Sequence, residues 1–350
     1  MAEHVTRFSG QSFERMKQRI LFWDIIKCVA MFLVVWGHCL QNMTTDASYF
    51  TRDLISECII SCHMALFMLV SGYFAYSSLF RSFQEVMSKR AIQILLPSVS
   101  WFVIIRSASL FASGQLFSWY GIRELTIGNL SSFWFLKALF MCYLIVMLGA
   151  KFYRVNKNLV IVYVAVLIVC GEQLNYSSTI SMLPFFLCGL LLRRFENWIF
   201  THSTAITSLA GIIWVVMLQV FDIADYSIYH QPFTLDTGGV ISLLIRTSIG
   251  VTGSFFGLLL MRRIFEHNDT RIARFLADVG SMTLGIYCIQ VIFAEVASKS
   301  VASYIDHLSR WSYDLVVTPI YAILVMVVCV TLISLIRKNK FSRLLLLGEK

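Results

Sequence analysis

The chain has 350 residues, of which 58% are hydrophobic and 14% charged, against roughly 45–50% and about 25% in an average soluble domain. Together with a mean hydropathy of +0.73, this excludes an ordinary soluble fold. The length is therefore best counted in membrane spans of about 20 apolar residues each. A net charge of +9 would raise nucleic acid as a partner of a soluble protein; here it is first a topology signal, and no nucleic-acid partner is expected.

The first apolar run, Leu21 to Leu40, is too long for the apolar core of a signal peptide and has no small-residue cleavage site after it, so it reads as the first span. The pattern then predicts spans over 20–40, 55–76, 91–112, 132–150, 159–171, 180–192, 203–221, 238–261, 277–297 and 315–336. Pro97 falls near the start of the third and Pro184 inside the sixth. If the N-terminus is cytoplasmic, 21 of the 29 Lys and Arg residues fall on the inner side. Four (Arg52, Arg123, Lys299, Arg310) fall on the outer side and four (Lys27, Arg106, Lys137, Arg246) within spans. A bias that alternates at every loop predicts an all-α integral membrane protein of about ten transmembrane helices with both termini cytoplasmic. It divides into an N-terminal tail (1–19), a single transmembrane domain (20–336) and a basic tail (337–350). The longest outer loops, 113–131 and 222–237, leave no room for an extracytoplasmic domain. The nine cysteines mostly lie in apolar runs, where Cys acts as a small hydrophobe. Cys58, Cys62 and His63 fall short of the about four ligands of a zinc site, so no metal is expected.

Ionisable side chains inside a bilayer cost about 2.5–3.5 kcal/mol on insertion scales and are functional candidates by default. The first span holds Asp24, Lys27 and His38. Asp24 and Lys27 are i,i+3 neighbours and can pair. Lys27 and His38 are eleven residues apart, three turns plus about 20°, so all three line one stripe with His38 about 16 Å beyond Lys27. An interfacial ion pair plus a capped interfacial His is the plain alternative. His63, early in the second span, has the depth expected of His38, and two such histidines can share a proton path or polarise a hydroxyl. Ser71-Gly72 suits close helix packing. Lys89-Arg90 opens the third span. Trp134 fits an aromatic belt, and Lys137 lies one turn deeper. The ninth span carries Gly280-Ser281-Met282-Thr283-Leu284-Gly285-Ile286-Tyr287, then Gln290 and Glu295.

Arg19…Asp24-x-x-Lys27-x10-His38 resembles the first-helix signature of the acyltransferase-3 family of integral membrane O-acyltransferases. His63-Met64-x-Leu66-Phe67-x3-Ser71-Gly72-Tyr73 resembles its second-helix motif. Lys89-Arg90-x6-Pro97, Phe133-Trp134-Phe135-Leu136 and Ser281-x2-Leu284-Gly285-Ile286-Tyr287 resemble later landmarks in family order. The resemblance runs from about residue 19 to 335. Ala65 stands where the family often has Pro, and Gln290 where many members have His.

The resemblance implies transfer of an acyl group, usually acetyl from acetyl-CoA, to a hydroxyl of a surface glycan or lipid-linked sugar in the cell membrane. It implies His38 as general base or transient acyl carrier, with Asp24 and Lys27 holding each other and the donor entrance. His63, Trp134, Lys137 and Tyr287 would shape the acceptor side, and Arg19, Lys89 and Arg90 would meet the donor phosphates. Acetyl-CoA is then a co-substrate, the membrane lipid surrounds the chain, and the protein either acts directly or passes the acyl group to a separate partner. Succinyl transfer is the variant reading. On the residues alone a multi-span transporter stands level with an enzyme; the resemblance favours the enzyme over the transporter and over a non-catalytic partner in glycan assembly.

Overall fold

A computed structural model describes residues 2–46, 48–127, 133–159, 162–164, 166–167, 177–226, 234, 236–265, 270–297, 299–305 and 309–349, and every element among these is helical. Six helices are long and apolar enough to cross a membrane: Leu21–Asn42, Leu54–Phe80, Phe83–Ala112, Trp134–Val155, Thr237–Phe265 and Arg310–Ile336. Arg271–Gly280 and Thr283–Ala294, bent by 62° at their junction, make a seventh if counted as one span. Two further helices, Ser177–Arg194 and Ser203–Leu218, coincide with the expected spans 180–192 and 203–221. They are shorter, and in the first a Ser/Thr-rich start and paired arginines dilute the apolar character. Most of the expected span 159–171 lies outside the described residues.

We label the main helices α1 (Ala2–Asn42), α2 (Leu54–Ala75), α3 (Phe83–Arg90), α4 (Leu96–Ala112), α5 (Trp119–Ile127), α6 (Trp134–Val155), α7 (Ser177–Arg194), α8 (Ser203–Leu218), α9 (Thr237–Phe265), α10 (Arg271–Gly280), α11 (Thr283–Gln290), α12 (Thr318–Ile336) and α13 (Lys340–Leu347). The third span begins eight residues earlier than its expected start at 91, because Ser82 accepts a hydrogen bond from the Glu85 amide and starts α3 there. A wide π-helical turn, Ala91–Leu95, then joins α3 to α4 ahead of Pro97. Proline has no N–H for the carbonyl four residues back and its ring crowds that carbonyl, so a widened turn relieves the clash. The same device recurs at Tyr313–Val317 ahead of Pro319, where the Thr318 hydroxyl donates to the Tyr313 and Asp314 carbonyls at 3.1 and 3.2 Å.

The core is a contact of backbones around α2. A Cβ on Gly72 would stand 1.9 Å from the Phe186 carbonyl oxygen, and one on Gly189 would stand 2.0 Å from that of Leu69. These small residues let α2 and α7 touch main chain to main chain, as helices do where no hydrophobic effect drives them together. Gly189→Ala should therefore cost at least the about 1–3 kcal/mol of an overpacked core site, read as a lower unfolding temperature in detergent; an unchanged transition would show that the two helices are not held at this distance.

Near the Leu40 end of α1, Tyr313 donates to the Leu40 carbonyl at 3.0 Å and the Trp36 indole to Thr318 at 3.0 Å. Arg310 joins Asp53, which caps α2 at the Ser56 amide, to Asp314. The Tyr49 hydroxyl donates to Asp314 at 2.8 Å, and its pKa is pushed up, first by burial and then by that bond. These ties fix the first helix against the second and against the span Arg310–Ile336, which sets the direction of its polar stripe.

Candidate functional site

The stripe on α1 faces inward along its whole length. Asp24, Lys27, Met31 and Val34 line a large cavity of about 1080 Å³. Val34, Gly37, His38 and Gln41 line a small chamber of about 40 Å³ that adjoins it. The Asp24–Lys27 pair forms at 2.5 Å. Asp24 is held in place by α10: a Cβ on Gly280 would lie 1.8 Å from the Asp24 carbonyl oxygen, so only glycine lets the bent α10–α11 junction come this close.

The large cavity carries charge at one end and apolar and aromatic side chains at the other. At the charged end stand Asp24, Lys27, Glu85, Lys89, Arg90 and Glu349. Each acid there has a cation: Asp24 has Lys27, Glu85 has Arg81 at 3.7 Å, and Glu349 has Arg337 at 2.6 Å. Lys89 and Arg90 are in no ion pair among the described residues. Arg90 instead donates to the Gln93 side chain at 3.0 Å and lies over the Tyr143 ring at 4.5 Å, which orients its guanidinium. The widened turn ahead of Pro97 supplies Ile92, Gln93 and Ile94 to the same wall. Arg19 lies in α1, but its side chain falls outside the described residues.

At its other end the cavity meets the small chamber through Val34, Met64 and Tyr287, which line both. His38 and His63 stand together in this chamber, with Trp134 beside them. His63 Nδ1 lies 2.6 Å from the Ile59 carbonyl oxygen. A carbonyl only accepts, so Nδ1 carries the proton and the neutral ring keeps Nε2 as an acceptor. Phe133, which precedes Trp134, has φ +45°, the left-handed region that a bulky residue adopts at a cost. That turn starts α6 so that Phe135 reaches Tyr287 at 5.7 Å between ring centres while Trp134 lines the chamber.

A third cavity adjoins the chamber through Ile60, His63, Met64 and Trp134, and is also lined by Phe221, Tyr226 and Arg246. Arg246, only 8% exposed, donates to the hydroxyls of Ser181 and Ser242 at 3.1 and 3.0 Å. Sequence reasoning placed Arg246 within a span but did not single it out; its rarity there as a charge was the available signal. Lys137 lines none of these cavities. Its ammonium group is buried and makes no hydrogen bond among the described residues. Gln290, at the end of α11, is buried away from all three.

Sequence reasoning also did not anticipate that Leu347, Gly348 and Glu349 form part of the large cavity's wall. The helix α13 is capped by Asn339, ends at Gly348 with φ +65°, and is tied to α4 by the Trp101 indole donating to the Leu346 carbonyl at 2.9 Å.

A family model described as an acyltransferase domain matches residues 20–337. Nodulation protein NolL of Mesorhizobium japonicum is 25% identical over 288 residues, covering 78% of this chain and 76% of its own. Nodulation protein NolL of Sinorhizobium fredii is 25% identical over 289 residues, covering 78% and 77%. No solved structure matches the chain.

Proposed function

The chain belongs to the acyltransferase-3 family of membrane proteins, and from that premise we propose that it moves an acetyl group from cytoplasmic acetyl-CoA to a hydroxyl of a cell-surface or lipid-linked glycan. In this reading the chain crosses the cell membrane ten times with both termini in the cytoplasm. The observation that carries it is a pair of adjoining cavities that share a wall. The large cavity, with Lys89 and Arg90 at its charged end, is separated by Val34, Met64 and Tyr287 from the chamber where His38 and His63 meet.

Anionic CoA phosphates suit the two cations that no carboxylate among the described residues neutralises, and the Lys27–Asp24 pair stands along the way. A pantetheine arm laid along α1 covers the about 16 Å of helical rise from Lys27 to His38. At the chamber His38 takes the proton of the acceptor hydroxyl as its oxygen attacks the thioester carbonyl. The new C–O bond forms, the C–S bond breaks, and the proton passes from His38 to the departing thiolate to give CoA. His63, with Nδ1 occupied by a backbone carbonyl, offers Nε2 to orient the acceptor hydroxyl, and Trp134 and Arg246 flank the acceptor's approach. A His38 that carries the acyl group transiently uses the same geometry.

The test is release of CoA from radiolabelled acetyl-CoA by the full chain in nanodiscs supplied with neutral oligosaccharides, beside uptake of those sugars into vesicles containing the protein. Donor turnover supports the acyltransferase. Saturable uptake without donor turnover would replace it with a transporter. An Arg246→Met variant should raise the acceptor KM about tenfold or more, as a hydrogen bond from a charged group is worth about 1.5–3 kcal/mol, and leave the donor KM in place.

A further inference from the structure

Among the residues lining the three cavities, Met64 is the one common to all of them. It sits on α2 one position after His63 and is itself buried. The chamber it closes measures about 40 Å³, and a single bound water needs about 10–15 Å³ of such space. There is room for about three heavy atoms, the number in an acetyl group. Its walls on the large-cavity side, Val34, Met64 and Tyr287, are the ones a longer acyl chain would have to displace.

We propose that Met64 sets the length of the acyl group: its side chain, with Val34 and Tyr287, closes the histidine chamber around a two-carbon acyl unit and excludes longer ones. The inference rests on the acyltransferase reading above and adds to it the residue that selects the length of the acyl group. The choice of methionine fits the task. An unbranched thioether fills an irregular gap and packs against the three spaces it borders.

Acetyl- and butyryl-CoA are each given to the full chain in nanodiscs with the same neutral oligosaccharides, and free CoA is measured. The wild type is expected to turn over acetyl-CoA at least about tenfold faster than butyryl-CoA, since a single misfit methylene is worth about 10–200-fold in a close pocket. Met64→Ala should bring that ratio below about threefold by gaining butyryl turnover. Met64→Leu, of similar volume, should keep the wild-type ratio. A purely structural loss would lower both donors together and leave the ratio unmoved. Val34→Ala opens the same wall from α1 and should shift the ratio in the same direction if Met64→Ala does not fold. Equal use of acetyl and butyryl by the wild type, or an unchanged ratio in folded Met64→Ala, overturns the role of Met64 and leaves the acyltransferase standing. Turnover of no donor by the folded wild type removes both.

Discussion

A His38→Ala variant is expected to lose acetyl transfer by roughly 10²–10⁴-fold, the usual worth of a positioned general base, with little change in the donor KM. The cations proposed for the donor phosphates and the imidazole line different cavities: Lys89 and Arg90 line the large cavity, and His38 lines the small chamber beyond Val34. The loss should therefore fall on kcat. Transfer of label from radiolabelled acetyl-CoA by wild type and variant in parallel measures it, with an unchanged elution profile in detergent as the check on folding. His63→Ala makes the comparison sharper. Its Nδ1 is held by the Ile59 carbonyl, so the ring is fixed in one tautomer and cannot deliver a proton from that nitrogen. It is expected to cost less than His38→Ala and to raise the acceptor KM. A His38→Ala enzyme with undiminished turnover would falsify the assignment of the base, and a larger loss in His63→Ala would transfer that role to His63.

The parts of this site readable from the sequence are those governed by helical period. Eleven residues separate Lys27 from His38, and one face of α1 carries Asp24, Lys27, Met31, Val34 and His38 into adjoining cavities. Charge spacing likewise marked the Asp24–Lys27 pair. The small pair at Ser71-Gly72 reads as close packing, and Gly72 does meet the Phe186 backbone.

What was not readable depends on partners far along the chain. Nothing local to residues 347–349 says that they wall a cavity with α1; that follows from the Trp101–Leu346 bond and the left-handed stop at Gly348. The bend between α10 and α11 is set by the approach of Gly280 to Asp24, more than 250 residues away in sequence. The nine residues 119–127, expected as part of an outer loop, form α5, which the Arg106–Glu124 pair at 2.6 Å ties to α4. Arg106, counted among the charges within spans, is thus satisfied locally. Arg246 faces the cavity beside His63 because α9 packs across α2, a pairing no periodicity reveals.

Reversing charge at Lys89 and Arg90 is expected to weaken the donor and spare the chemical step. These are the two cations of the large cavity outside any ion pair among the described residues, whereas Asp24, Glu85 and Glu349 each have a partner. Phosphate contacts of charged donors are worth about 1.5–3 kcal/mol each, and 1.4 kcal/mol is a factor of ten. Lys89→Glu and Arg90→Glu should then each raise the KM for acetyl-CoA at least about tenfold, with kcat at saturating donor nearly preserved, the pattern of lost uniform binding. Arg90→Lys separates charge from shape. It keeps the charge but loses the planar guanidinium that the Gln93 side chain and the Tyr143 ring hold in orientation. It should lie between wild type and Arg90→Glu. The donor KM should also rise with ionic strength in the wild type and less steeply in either reversal variant, because the attraction being screened is gone. Initial rates against acetyl-CoA at low and high salt decide the matter. A donor KM indifferent to both substitutions would move the phosphates elsewhere, and Arg19 on the same helix as Lys27 would be the next residue to change.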